Sequence, residues 1–192
     1  GGRGHRSTPR AGARLIPVVR VLIGRAAARR ESLLALVDVV PADYWSRTAP
    51  GESWSAQRHL VHALSAEDAL EGLLERINEG SGPLALKAGA LYAEREAAIE
   101  AAAALELASL IERSARARER TVRLLAALTP ASIERMLVIA MPPGAWPAQS
   151  VLVACAYLEQ WAAHDAGHEA AIRDAISTPP DLSAVAHVRR IR

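Results

Sequence analysis

Apolar residues recur at intervals of three and four along most of this 192-residue chain, and that spacing restricts what the chain can fold into. In a helix of 3.6 residues per turn such positions share one face, whereas a half-buried strand alternates apolar and polar residues. No stretch shows sustained alternation with enrichment in β-branched residues, so strands have little support. The pattern predicts an all-α fold.

The first two predicted helices lie in the first half of the chain. Pro41 ends the first one, because proline is incompatible with a helix interior. The second runs from about Trp54 to Ile77 and stops near Gly80, with Ser53 or Ser55 as its N-cap. Both helices carry a leucine-rich face that can enter a core.

The second half of the chain adds two more long helical regions. An Ala-, Glu- and Arg-rich stretch from about Leu84 to Leu128 reads as helical, with a break expected near Gly89. Thr129 is suited to cap a short helix. Met141–Pro147 has loop composition, and Gln149–Ile176 reads as the last main helix. Four long helices predict a bundle.

Length and composition fit one domain. With 192 residues, of which 51% are hydrophobic, the chain can bury a substantial core. Residues 18–177 are predicted to form the bundle, and residues 178–192 a loose tail. The basic leader, residues 1–17, is expected to be disordered rather than a secretion signal, because Arg20 interrupts the apolar segment that follows it.

Charge and cysteine usage narrow the class of protein. Charged residues break every apolar run before it reaches the roughly 20 residues of a membrane-spanning helix. The lone Cys155 cannot form an internal disulfide, which agrees with a reducing compartment. The net charge of +2 comes with interspersed acidic residues and without phenylalanine, so no nucleic-acid surface is expected. The sequence predicts a soluble, cytoplasmic protein.

The histidines form the most informative polar pattern. His164 and His168 are four residues apart, so on a helix their rings share one face and can converge on one ion. Most such pairs bind nothing, and the pair alone does not establish a site. Either His62 or His59 on the second helix can complete a three-histidine site left open for water or substrate. His187 is a weaker candidate, because it follows two prolines in the tail.

Other residues near the histidine pair have simpler interpretations. Asp165 stands where a zinc-protease HExxH motif has its glutamate, but its side chain is one methylene shorter, so a protease is disfavoured. Asp165, Glu169 and Glu67 can orient imidazole rings, although interhelical or solvated charges are the more ordinary role. Cys155 faces away from the pair and is expected to be a small core residue.

Together these features resemble the DinB/YfiT-like superfamily of metal-binding four-helix bundles. In that family a Trp-Ser or Trp-Thr pair starts helix two, and a ligand histidine follows eight residues after the tryptophan. Here Trp54-Ser55 is followed by AQRHLVHAL, which puts His62 at the ligand position. The family's other two ligands form an HxxxH pair on the last helix, matched by HDAGHEAAI at His164 and His168.

The resemblance implies an up-down-down-up bundle, frequently a homodimer. It implies one divalent metal ion, zinc or nickel foremost, held by His62, His164 and His168 with open coordination positions. Some relatives are thiol-dependent transferases or isomerases. A low-molecular-weight thiol or water is therefore expected to attack a small-molecule substrate at the ion. Trp54 and Trp161 are expected to pack rather than to contact substrate.

Two other functions fit the same residues. The ion can serve only to tie helix two to helix four in a non-catalytic stress or interaction protein. A metal-free bundle that retains the three histidines is a third, weaker reading.

Overall fold

The computed structural model describes residues 15–80 and 82–178. This part of the chain is mostly helical, as predicted, with a short 3-10 turn at Ala42–Tyr44 after the first helix. Its α-helices are α1 Pro17–Val39, α2 Ala56–Asn78, α3 Ala88–Ala103, α4 Leu107–Ala126, α5 Pro130–Ile133 and α6 Ala154–Ser177. The predicted leader up to residue 14 and the predicted tail from residue 179 lie outside the described residues.

The expectation that strands have little support is wrong. Three short strands, β1 Leu84–Lys87, β2 Met136–Ala140 and β3 Gln149–Val153, form one sheet. The central strand β2 pairs with β1 in parallel and with β3 antiparallel. Runs of four or five residues are too short to show an alternating period, and their partners lie far away in the sequence. Two of the strands had therefore been absorbed into neighbouring helices.

Two helix boundaries also differ from the prediction. The long helical region begins only at Ala88, next to the break expected near Gly89, because residues 84–87 form β1. A second break separates α3 from α4 at residues 104–106. The last helix begins at Ala154 rather than Gln149, because residues 149–153 pair with β2.

The predicted caps are confirmed. The Ser55 side chain accepts a hydrogen bond from the backbone N–H of Arg58 at the start of α2. Thr129 does the same for Ser132 at the start of α5. In each case a side-chain oxygen satisfies an N–H group that the first helical turn leaves without a partner. The loop predicted at Met141–Pro147 joins β2 to β3.

The helices pack side by side in the order α1, α6, α2 and then α3 with α4. The middle pair, α2 and α6, therefore faces most of the core. Two apolar clusters fill the interior: one includes Leu22, Leu74 and Leu158, and the other includes Leu33 and Ile172. On α6 one cluster ends at Ala162 and the other begins at Ile172, and the polar residues His164, Asp165 and His168 lie between them. Within the described ranges no helix is long and apolar enough to cross a membrane.

Candidate metal centre

Three predicted ligands, His62 from α2 and His164 and His168 from α6, come together in the structure. The Nε2 atom of His164 lies 3.1 Å from Nε2 of His62 and 3.2 Å from Nε2 of His168. Ligand atoms of all three residues lie within 4.8 Å of one another, close enough to hold one metal ion. That they do bind metal stays a prediction.

The positions of these side chains follow from helix packing. The apolar face of α6 enters the core through Leu158, Ala162 and Ile172, which leaves His164 and His168 half-buried at its edge. They point toward α2, where His62 is only 6% exposed. Two positions one turn apart on α6 and one position on α2 thus supply the three predicted ligands.

His59 is closer to the site than the sequence indicated. Its Nδ1 lies 3.0 Å from Nδ1 of His168, so it faces the ring nitrogen of His168 that points away from His164. A partner on the second nitrogen fixes the orientation and tautomer of a ligand imidazole. From the resemblance, His59 was expected to be only a neighbour of the site. Its position three residues before His62, within the same helical turn, could have predicted that it lies beside the ligands. His187 lies outside the described residues.

Trp54 holds the histidine rings in place. Its ring packs against His59, His62 and His168, with centroid distances of 5.4, 5.3 and 6.4 Å. This agrees with the packing role expected for Trp54, although its ring also reaches a neighbouring cavity.

Burial keeps these imidazoles neutral. Burial and, to a smaller extent, the nearby His164 lower the pKa of His62 and of His168 from 6.5 to about 3. Burial also lowers the pKa of His59, against the opposing charge of Glu52. Neutral imidazole is the form that binds metal, so at neutral pH no proton needs to leave these rings first.

The donor set fits a divalent ion. Imidazole nitrogens suit zinc, nickel, copper and iron. The Nδ1 atom of His62 is buried and has no hydrogen-bond partner among the described residues, so its Nε2 toward His164 is the atom that points into the cluster. The three-histidine set leaves a fourth position for water or substrate, as catalytic zinc sites do.

A cavity of about 720 Å³ opens beside the histidines. All three predicted ligands line it, so an ion held there would face the cavity. Trp54 and Trp161 also line it, which the sequence did not indicate. A cavity of this size accommodates a compact organic molecule.

The carboxylates near the site serve mainly as ion-pair partners. Asp165 and Glu67 are buried and form interhelical pairs with Arg30 and Arg118. The Asp165 carboxylate also lies 3.6 Å from Nδ1 of His164, beyond a direct hydrogen bond. Glu169 pairs with Arg173 along α6 at 2.8 Å. These contacts agree with the more ordinary role expected for the three acids.

The buried histidines predict that the metal-free protein loses stability on acidification. The folded-state pKa of His62 and His168, about 3, lies below the unfolded value near 6.5. As pH falls, the unfolded chain therefore takes up protons before the folded protein does. The free energy of unfolding is unaffected by these histidines above pH 6.5 and decreases as pH falls toward 3. We expect the urea midpoint to drop between pH 7.5 and 5. A His62→Leu variant should show a smaller drop, and an equal one would contradict this assignment.

Comparison with known proteins agrees with the geometry. The sequence profile of the DinB superfamily matches residues 25–172, a range that contains all three histidines and Trp54. No curated protein and no solved structure shows a significant match.

Proposed function

Because the chain belongs to the DinB superfamily, we propose that it is a metal-dependent enzyme acting on small molecules, in which His62, His164 and His168 hold one divalent ion. Zinc and nickel are the first candidates. The observation that carries this proposal is the convergence of three ring nitrogens, from two helices, within 4.8 Å of one another at the wall of a cavity.

The proposed reaction is the transfer of a low-molecular-weight thiol to a small electrophile, or a related addition of water. A bound ion would supply a lowered pKa for the thiol or water, or would polarise a substrate oxygen. The protein's own residues set up this chemistry. Trp54 and His59 fix the ligand rings, and the cavity beside them has room for a small substrate.

The proposal includes an up-down-down-up four-helix bundle that forms a homodimer in the cytoplasm. The side-by-side order of α1, α6, α2 and α3 with α4 supports the bundle. The small sheet is an addition to it, and its residues Ile139 and Ser150 contribute to the cavity wall.

A stabilising ion in a stress or interaction protein is the second candidate. The histidines join α2 to α6, the two central helices, and such a link favours a structural role. Circular dichroism after chelation separates the two. An enzyme with an independent core is expected to stay helical without metal, because both apolar clusters are complete without the histidines. Complete unfolding on chelation would support the structural ion.

The decisive test is plasma mass spectrometry on tag-free protein, followed by a thiol assay. We expect about one zinc, nickel or similar ion per chain. The loaded protein should then consume a thiol such as cysteine in the presence of a small electrophile, and the His62→Ala variant should not. Absence of metal even after reconstitution would refute the proposal, and a loaded but inactive protein would favour the second candidate.

A further inference from the structure

The aromatic residues of this chain are concentrated around the cavity rather than in the core. The sequence has four tryptophans, three tyrosines and no phenylalanine. Two of each, Trp54, Trp161, Tyr92 and Tyr157, line the cavity beside the histidines. The buried hydrophobic residues of the described part of the chain are all aliphatic, and Trp54, Trp161 and Tyr157 are only partly buried where they pack against them. Aromatic rings usually dominate cores, so their placement here indicates a surface built to contact a ligand.

Three of these rings already carry a guanidinium group on one side. Arg58 lies 5.3 Å from the Trp54 ring centroid, Arg95 lies 4.9 Å from that of Tyr92, and Arg118 lies 5.3 Å from that of Trp161. A cationic ligand would therefore meet positive charge at the rings. The aromatic side chains in the cavity wall can still stack against, or make edge contact with, a flat, uncharged ring of a ligand.

Arg95 supplies a charge for the other end of such a ligand. Among the described residues it is the one arginine that lines the cavity. Its Nε and Nη2 atoms donate to the same oxygen of Glu96, at 3.3 and 3.0 Å, which leaves Nη1 outside that pair. Tyr157 lines the same cavity, and burial raises the pKa of its hydroxyl, which therefore stays protonated. An arginine in the wall of a cavity suits a carboxylate ligand.

We propose that this cavity binds an aromatic monocarboxylic acid, with its ring against the aromatic walls and its carboxylate on Arg95. This rests on the proposed function, since it names the substrate class of the same site. Glu94 also lines the cavity, and its negative charge disfavours a second carboxylate on the ligand. The proposed ligand therefore carries one flat ring and one negative charge.

Titration calorimetry with three probes tests the proposal on the metal-loaded protein and on the chelated protein. Benzoate has the ring and the charge, benzamide lacks the charge, and cyclohexanecarboxylate lacks the flat ring. We expect benzoate to bind about tenfold more tightly than either of the others, because a charge-assisted hydrogen bond and ring stacking each favour it. The preference should persist after chelation, since neither Arg95 nor the rings depend on the ion.

Arg95→Met is the informative variant. It is expected to reduce benzoate affinity about tenfold, to the level of benzamide, while benzamide binding stays the same. Arg116→Met, at an exposed arginine on α4 that pairs with Glu112, is the matched control and should leave both unchanged. Equal binding of benzoate and benzamide to the wild type would overturn the proposal, as would full benzoate affinity in Arg95→Met.

The same experiment separates this proposal from the proposed function. Benzoate binding that vanishes on chelation would place the carboxylate on the ion and overturn the role of Arg95, while leaving metal-dependent chemistry intact. Selective benzoate binding by a protein that retains no metal would support the aromatic acid site and refute the metal-dependent enzyme.

Discussion

Replacing His62 or His168 with alanine is expected to abolish stoichiometric metal retention, whereas His59→Ala and His187→Ala should retain about one ion per chain. A three-ligand site that loses one imidazole keeps two, and we expect its affinity to fall by about two orders of magnitude or more. His59 contacts only the far nitrogen of His168, at 3.0 Å. Its loss should weaken binding by about tenfold, through poorer orientation of that ring.

Plasma mass spectrometry of tag-free variants, with a competing chelator to rank affinities, measures this effect. The His187→Ala variant serves as the control for removing a histidine that the proposal does not use. Equal metal loss from all four variants would show that the ligand set is wrong. If His62→Ala retained the metal and His59→Ala lost it, the third ligand would be His59 rather than His62.

Local patterns explain what the sequence predicted correctly. The HxxxH pair and the caps at Ser55 and Thr129 depend on residues within one or two helical turns, so their spacing is visible in the sequence. The helical spacing made His62 and His59 equally good candidates for the third ligand, and only the family resemblance favoured His62. The structure brings both to the site, one inside the cluster and one behind it.

Long-range pairing explains what the sequence missed. Residues Leu84–Lys87 become a strand because they pair with Leu137–Ala140, more than fifty residues away, and a run such as LALK carries no period of its own. Arg30 is a similar case. In a chain with arginine in almost every helix nothing marks it as buried, yet it is 9% exposed and bonded to Asp165, 135 residues later.

Arg30 belongs to a buried layer of charges contributed by four helices. Arg30 from α1, Glu67 from α2, Arg118 from α4 and Asp165 from α6 make up this charge layer. Along α1, α4 and α6 the layer lies between residues of the two apolar clusters. Arg30 donates to both Asp165 oxygens, at 2.7 and 3.4 Å, and to the carbonyl of Ala63 at 3.0 Å.

The charge layer also adjoins the cavity beside the histidines. Asp165 directly follows His164, and Arg118 lies 5.3 Å from the ring centroid of Trp161 in the cavity wall. Burial alone would raise the pKa of Asp165, but the nearby His164 imidazole, 3.6 Å away, and the charges of Arg30 and Arg118 together lower it to about 2. The carboxylate is therefore ionised across the physiological range and depends on its arginines.

Arg30→Met is expected to destabilise the protein by about 3–5 kcal/mol, because it leaves Arg118, at 3.4 Å, as the one arginine paired with the buried Asp165 carboxylate among the described residues. The double variant Arg30→Met/Asp165→Leu removes both charges and should recover much of that loss, since a buried pair can be replaced by apolar residues at little cost. Arg113→Met, which breaks the more exposed pair with Asp68, is the control and should cost about 1 kcal/mol or less. Urea unfolding at pH 7 measures all three.

The pH dependence of the same variants identifies the charge responsible. The folded-state pKa of Asp165, about 2, lies below its unfolded value near 3.9. Its contribution is therefore complete above pH 3.9 and is lost as pH falls through 2. In Arg30→Met the carboxylate loses its main partner, its folded-state pKa should rise, and acidification from pH 7 to pH 4 should reduce the stability difference from wild type. A difference that stays constant over that range, or a double variant no more stable than Arg30→Met, would mean that Arg30 acts by packing alone.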